Sequence, residues 1–159
     1  FAAVAKRLND QRLELVDSTF LLKEYLAPKG TITRRGPTLS ELEDIAFGTT
    51  IAKEMGGIDV GQTVVVKDKA IVAIEAMEGT DRTIFRGGRI AQNGAVVVKM
   101  SKPNQDVRFD VPVIGPRTIR TMVKSKAKCL GIEAEKTLII DRDKCVKLAN
   151  MADICIVGA

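Results

Sequence analysis

Asp110 lies in the run RFDVP, two residues after Arg108 and two before Pro112, inside a longer stretch, KMSKPNQDVRFDVPVIGP, from Lys99 to Pro116. A connection between elements needs only turn residues and solubility. This one holds Lys99, Lys102 and Arg108 with Asp106 and Asp110, bounded by Pro103 and Pro112. Pro112 restricts Val111 to extended backbone, so Asp110 projects from a constrained segment. Arg108 and Asp110 share a face if that segment is extended. A second concentration is EAMEGTD, Glu75 to Asp81. On a strand Glu75 and Met77 share a face, and Glu78 starts the turn. Gly79 lets the backbone approach a ligand, and Thr80 and Asp81 open a helix whose unpaired amides favour anions. Carboxylates in such places suit a hard metal ion or an attacking water, and cations suit phosphate oxygens. A helix cap with surface acids, and an Arg–Asp surface pair worth little, are the bland alternatives. The residue pattern alone leaves both open.

Composition removes several chemistries. There is no histidine, which excludes Ser-His and Cys-His nucleophilic machinery and most zinc sites from this chain. Cys129, Cys145 and Cys155 are odd in number and lack CxxC spacing, so they read as reduced core thiols of a cytoplasmic protein. The net charge of +5 suits phosphate-bearing ligands, nucleic acid or an anionic membrane face. With no Trp, one Tyr, and acids interleaved among the bases, nucleic acid is not an expected partner. Neither a glycine-rich dinucleotide fingerprint nor a P-loop is present. No apolar run approaches the ~20 residues of a membrane span. The polar opening residues Lys6, Arg7 and Asp10 do not look like a signal peptide.

The elements that must position these residues follow from periodicity. At 159 residues, 45% of them hydrophobic, the chain is long enough for one α/β domain with a real core. Phe1 to Arg12 reads as a helix and LELVDST, Leu13 to Thr19, alternates like a strand. APKGTITRRGPT reads as an exposed connection, with Arg34 and Arg35 either solvated or on phosphate. Thr38 and Glu41 have capping-box spacing before a long helix that Gly56-Gly57 ends. TVVVK and AIVAIEA form a hairpin around Asp68-Lys69, a turn that lacks the usual glycine. After EGTD a short helical stretch is expected to break at Gly87-Gly88. AVVVKM is a strand, and Pro116 opens the next helix. CLGIEA, TLIID and ICIVG are strand-like, and Asp141 is placed to cap RDKCVKLANMA. The architecture is α/β on a mixed sheet with flanking helices.

Taken in order, IDVGQTVVVKDKAIVAIEAMEGTD, VVVKMSKPNQDVRFDVPVIGP and EAEKTLIIDRD resemble the C-terminal domain of the UDP-2,3-diacylglucosamine pyrophosphatase family of lipid A biosynthesis. The resemblance is to its metal-dependent, non-calcineurin (LpxI) type, formerly a domain of unknown function. VDSTFLLKEYLAPKGTITRRGPT is similar to the lead-in of that family, so nearly the whole chain is covered. EGTD followed by KPxQDxRFDxPxxGP makes the resemblance specific. It implies the C-terminal domain of a two-domain protein whose Rossmann-like N-terminal domain is absent from this sequence, in keeping with a start at Phe1. Residues 1–37 would be a helix, strand and connection from that domain, and 38–159 the catalytic α/β domain.

The resemblance further implies Mg²⁺-dependent hydrolysis of UDP-2,3-diacylglucosamine to UMP and lipid X, in a cleft between the two domains. The essential aspartate of the family falls on Asp110. Glu78 and Asp81 are the candidates for further metal ligands, and Gly79, Thr80, Lys99, Lys102, Gln105 and Arg108 would be the substrate-binding residues. Asp106 would only cap or brace the loop. The implied partners are the nucleotide-sugar lipid and the missing domain of the same chain, with a peripheral contact on the cytoplasmic face of the inner membrane and a homodimer. A non-catalytic module that binds a phosphate ligand or nucleotide sugar on the same fold is the alternative reading. The isolated segment is expected to fold with little activity, and to leave apolar surface uncovered beside Glu78 or Asp110.

Overall fold

VVVK at 96–99, CLGI at 129–132 and CIVG at 155–158 show no polar alternation, the pattern of strands buried on both faces. In the computed structural model, which describes residues 2–103 and 107–159, these runs are the parallel interior strands of a six-stranded sheet. The elements in chain order are α1 (Ala2–Asp10), a 3-10 turn (Lys23–Tyr25), β1 (Gly30–Thr31), α2 (Leu39–Gly57), β2 (Thr63–Lys67) and β3 (Ala70–Ile74). There follow α3 (Thr80–Ala91), β4 (Val96–Lys99), β5 (Val113–Ile114), α4 (Pro116–Lys124), β6 (Cys129–Ile132), β7 (Leu138–Ile139), α5 (Arg142–Met151) and β8 (Cys155–Gly158). The sheet order is β1-β8-β6-β4-β2-β3, with β5 and β7 forming a separate parallel pair. Register runs Val96↔Cys129↔Cys155 across the parallel strands, while β2 is antiparallel to both β4 and β3. The mixed α/β sheet with flanking helices is the architecture that the sequence predicts.

Side-chain alternation sends Val64, Val66, Val96 and Val98 to one face, where they pack with Ile45 and Ala52 of α2. Val65, Val97, Leu130 and Ile156 point the other way, to Ile84 of α3, Ile119 and Met122 of α4, and Cys145 and Ala149 of α5. Each fully buried side chain of this kind contributes roughly 1.5–3 kcal/mol. The three cysteines are free and buried, as small core residues.

Local signals hold where the backbone itself needs them. Thr38 Oγ1 accepts from the Glu41 amide at 3.2 Å and Glu41 accepts from the Thr38 amide at 2.8 Å, completing the capping box of α2. Arg35 is neither solvated nor poised for phosphate. Its guanidinium donates to both Glu41 carboxylate oxygens at 2.8 and 2.9 Å and to the Lys128 carbonyl, tying the start of α2 to the start of β6. Nor is the stretch around it a bare exposed connection, since Ala27 and Thr33 are buried and β1 pairs with β8.

The glycine-free hairpin turn carries positive φ at both Asp68 (50°) and Lys69 (58°). The buried carboxylate of Asp44, on α2, accepts from both turn amides at 3.1 and 2.6 Å. A tertiary contact thus holds a turn that its own residues disfavour. Asp44→Ala is expected to cost about 2 kcal/mol, because both turn amides lose a charged acceptor. Urea unfolding checks this, and an unchanged midpoint would remove Asp44 as the turn's support.

Two expected elements differ. LELVDST is not a strand: Leu13 and Val16 are exposed, and β1 and β3 form the sheet edges. Alternation without a neighbouring strand to take the N–H and C=O groups does not make a strand. Second, α3 passes unbroken through Gly87 and Gly88, which seat it on the sheet and on α4. Asp141 does stand at the N-cap of α5, but with left-handed φ of 48° and without a side-chain capping bond.

Candidate functional site

β3 and β4 run in the same direction, so their carboxyl ends meet the first residue of β2 at one end of the strands. Register opposes Thr63 to Lys99, and the Glu75 amide donates to the Thr63 carbonyl at 2.9 Å. Glu75, Thr63 and Lys99 therefore lie side by side on neighbouring strands. Such carboxyl ends are where ligands of open α/β sheets bind. Facing them is the first turn of α3, led by Gly79 at φ 82° and ψ 164°, a conformation that favours glycine.

Thr80 links the group. Its Oγ1 donates to Glu75 Oε1 at 2.8 Å and accepts from Lys99 Nζ at 2.8 Å, with Thr63 Oγ1 at 3.4 Å. Lys99 is only 6% exposed. Burial lowers its pKa, while Glu75, Asp110 and Asp81 act in the opposite direction. All three carboxylates thus favour the charged ammonium. Glu75 is 9% exposed, and its second oxygen, Oε2, is buried without a partner among the described residues.

The other sequence-derived candidates divide. Asp110 is exposed and Asp81 half-buried, and both act on Lys99. Asp81 Oδ2 accepts from Arg117 Nε of α4 at 2.6 Å. Glu78 is bonded by Arg86, which also donates to the Ile74 carbonyl at 2.9 Å; the Arg86 hydrogen bond lowers the pKa of Glu78. Lys102 pairs with Asp59 beyond the end of α2, and its backbone packs on Gly56. Arg108 sits with its guanidinium 5.6 Å from the Phe109 ring centre. Gln105 and Asp106 lie outside the described residues. No group of three or more His, Cys, Asp or Glu able to hold a metal occurs among the described residues.

A second polar cluster anchors the start of the charged loop. Glu133, just after β6, accepts from the Ser101 amide at 2.8 Å, the Ser101 hydroxyl and Lys136 Nζ at 2.9 Å. Burial opposes its charge, but the Ser101 hydroxyl, Lys136 and the Ser101 amide together bring its pKa down to about 2. A depressed carboxylate stabilises the fold above its unfolded value and loses that contribution as pH falls through the folded one. Stability should therefore decline between about pH 4.5 and pH 2, by about 2 kcal/mol after allowance for solvent near Lys136. Glu133→Gln should flatten that part of the curve in acid denaturation. An unaltered acid limb would detach Glu133 from it.

A family model described as LpxI C-terminal domain matches residues 28–157. The chain belongs to the LpxI C-terminal-domain family. It is also 28% identical over 163 aligned positions to the UDP-2,3-diacylglucosamine pyrophosphatase LpxI of Caulobacter vibrioides, an alignment that takes in 98% of this chain. The chain spans 58% of the length of that relative. In this LpxI-type domain, residue patterns pointed to EAMEGTD and the aspartate loop, but gave Glu75 no role within the first and did not point to Thr63, Arg117 or Glu133. An acid ending an apolar strand was the signal for Glu75. For Arg117 it was a cation in a helix's first turn, against the dipole.

Proposed function

We propose that this chain is the C-terminal part of a Mg²⁺-dependent pyrophosphatase that hydrolyses UDP-2,3-diacylglucosamine to UMP and lipid X in lipid A biosynthesis. The observation that supports the reading is a buried Lys99 bonded to Thr80 at the start of α3, with Asp110 and Asp81 both acting electrostatically on that ammonium, in a domain of the LpxI family. Water attacks one phosphorus of the anhydride, a P–O bond forms, and the bridging oxygen leaves with the other phosphate. Asp110 orients that water and takes up its proton. Lys99, held by Thr80, binds a phosphate oxygen, and Arg108 offers a bidentate contact. The open backbone at Gly79 lets the phosphate approach the first turn of α3. Lys102 and Gln105 would extend the contact along the loop.

Mg²⁺ takes only one or two carboxylates beside water and substrate phosphate, so a pair of aspartates is enough for a hard cation even without a larger acidic cluster among the described residues. Asp110 and Asp81 would hold the ion, joined by Glu78 once Arg86 releases it. When bound, the ion supplies charge neutralisation at the phosphate oxygens. Exposed Phe20, Leu21 and Met77, the last beside Glu78, suit a lipid-bearing substrate, a peripheral contact with the cytoplasmic membrane face or a second subunit. No helix is long and apolar enough to cross a membrane among the described residues.

The pairing of Glu78 with Arg86 and of Asp81 with Arg117 favours a second reading, a module that binds phosphate ligands without chemistry. UMP release by the full-length protein with Mg²⁺, against an EDTA control, separates the two. Turnover abolished by EDTA is expected. Substrate binding without UMP in either condition would leave only the binding module.

A further inference from the structure

We propose that Glu75 is a positioning residue that acts through the Thr80 hydroxyl to aim Lys99 at the phosphate of the bound ligand. The inference rests on the reading above for the ligand being a phosphate. The relay itself rests on the two 2.8 Å distances at the Thr80 hydroxyl.

A threonine hydroxyl has one proton to donate. Lys99 is a donor only, and an ionised Glu75 is an acceptor only. With Thr80 Oγ1 at 2.8 Å from both, the proton must point to Glu75 and a lone pair to Lys99 Nζ. Without an acceptor at Glu75, the hydroxyl can turn its proton towards Thr63 Oγ1, 3.4 Å away, and the lone pair that fixes the ammonium turns with it. The remaining N–H groups of Lys99 then lose their direction. Burial of both ends strengthens the chain, because water neither competes for nor screens these bonds.

A purely stabilising role fits poorly. Glu75 Oε2 is buried and unpartnered among the described residues, which makes the carboxylate a liability for folding. Groups of this kind persist where function requires them. The acids that act electrostatically on Lys99 are Glu75 at the end of β3, Asp81 on α3 and Asp110 before β5, with Arg117 of α4 holding Asp81. Thr63 of β2 touches the same hydroxyl. Among these acids only Glu75 reaches the ammonium through a shared hydroxyl, so it alone sets direction as well as charge.

The test uses the full-length protein carrying Glu75→Ala, Glu75→Gln, Thr80→Val or Thr80→Ser, with inorganic pyrophosphate as the calorimetric probe and UMP release alongside. Glu75→Ala and Thr80→Val are expected to weaken pyrophosphate binding about 10- to 100-fold, the range of one charge-assisted hydrogen bond. Thr80→Ser restores the hydroxyl and Glu75→Gln restores an acceptor, so both should bind within about 3-fold of the parent. Glu75→Gln should melt no lower than the parent, which a stabilising role would not allow. Parent-like binding by folded Glu75→Ala or Thr80→Val overturns the proposal, as does failure of Thr80→Ser to rescue or absence of pyrophosphate binding by the parent. If Glu75→Ala does not fold, the Thr80 pair decides. Binding that follows this pattern without UMP release by the parent would support the relay and sink the pyrophosphatase. Normal UMP release by Thr80→Val would do the reverse.

Discussion

Asp110→Ala in the full-length protein is expected to reduce UMP release by about a thousandfold or more, with the fold and the ground-state complex nearly intact. Asp110 is exposed, so its loss removes no buried support. It acts electrostatically on the buried Lys99, the ammonium proposed to bind the phosphate. A carboxylate that orients water and accepts its proton acts mainly in the transition state, so the rate should fall more than the affinity. Affinity should hold or tighten, because one negative charge has left the surroundings of an anionic ligand. Asp110→Asn should behave alike, keeping the shape and losing the basicity. Asp106→Ala should retain more activity if that residue only braces the loop. UMP release, substrate affinity and thermal melting of the variants test the assignment together. Normal turnover by Asp110→Ala, or loss of activity through unfolding, would falsify the role given to Asp110.

Gly88→Ala should destabilise the domain by about 3 kcal/mol, a large share of the margin by which such a domain is stable. A methyl built at Gly88 would lie 2.4 Å from both Cβ and the carbonyl oxygen of Ser125. Ser125 cannot easily give way, since its amide is bonded to Thr121 and its hydroxyl to Met122 at the end of α4. Glycine inside a helix costs about 1 kcal/mol relative to alanine, so the substitution starts with a gain that the clash must exceed. Gly87→Ala should be similarly harmful, its methyl falling 2.6 Å from Val65 Cβ on β2. The consequence reaches the site, because α3 carries Thr80 and Asp81 in its first turn. Any lift of that helix moves both relative to Lys99. Denaturant unfolding of the two variants is the measurement. A Gly88→Ala protein as stable as the parent would mean that α3 does not seat on α4 as described.

Much of the scaffold was legible in the chain because its signals are local. The capping box of Thr38 and Glu41, Pro116 at a helix start and the unbroken apolar runs at 96–99, 129–132 and 155–158 each specify their own element. The order of EGTD and RFDVP was enough to suggest a family that the match over residues 28–157 then established. What residue spacing could not supply is the identity of distant partners. Arg35 is a clamp because Glu41 and the Lys128 carbonyl meet it, and Glu78 and Asp81 are held by Arg86 and Arg117. Whether a glycine pair breaks a helix or seats it depends on the surface beneath, here Val65 and Ser125. LELVDST alternates like a strand, yet the sheet edges are β1 and β3. Lys99 reads as one more loop cation in sequence and becomes a buried ammonium beside Thr80 only when β2, β3 and β4 align. Glu75 gains its role in the same way. Hydrogen bonds and ion pairs depend on distance and direction in space, and folding sets both by packing residues that the chain keeps far apart.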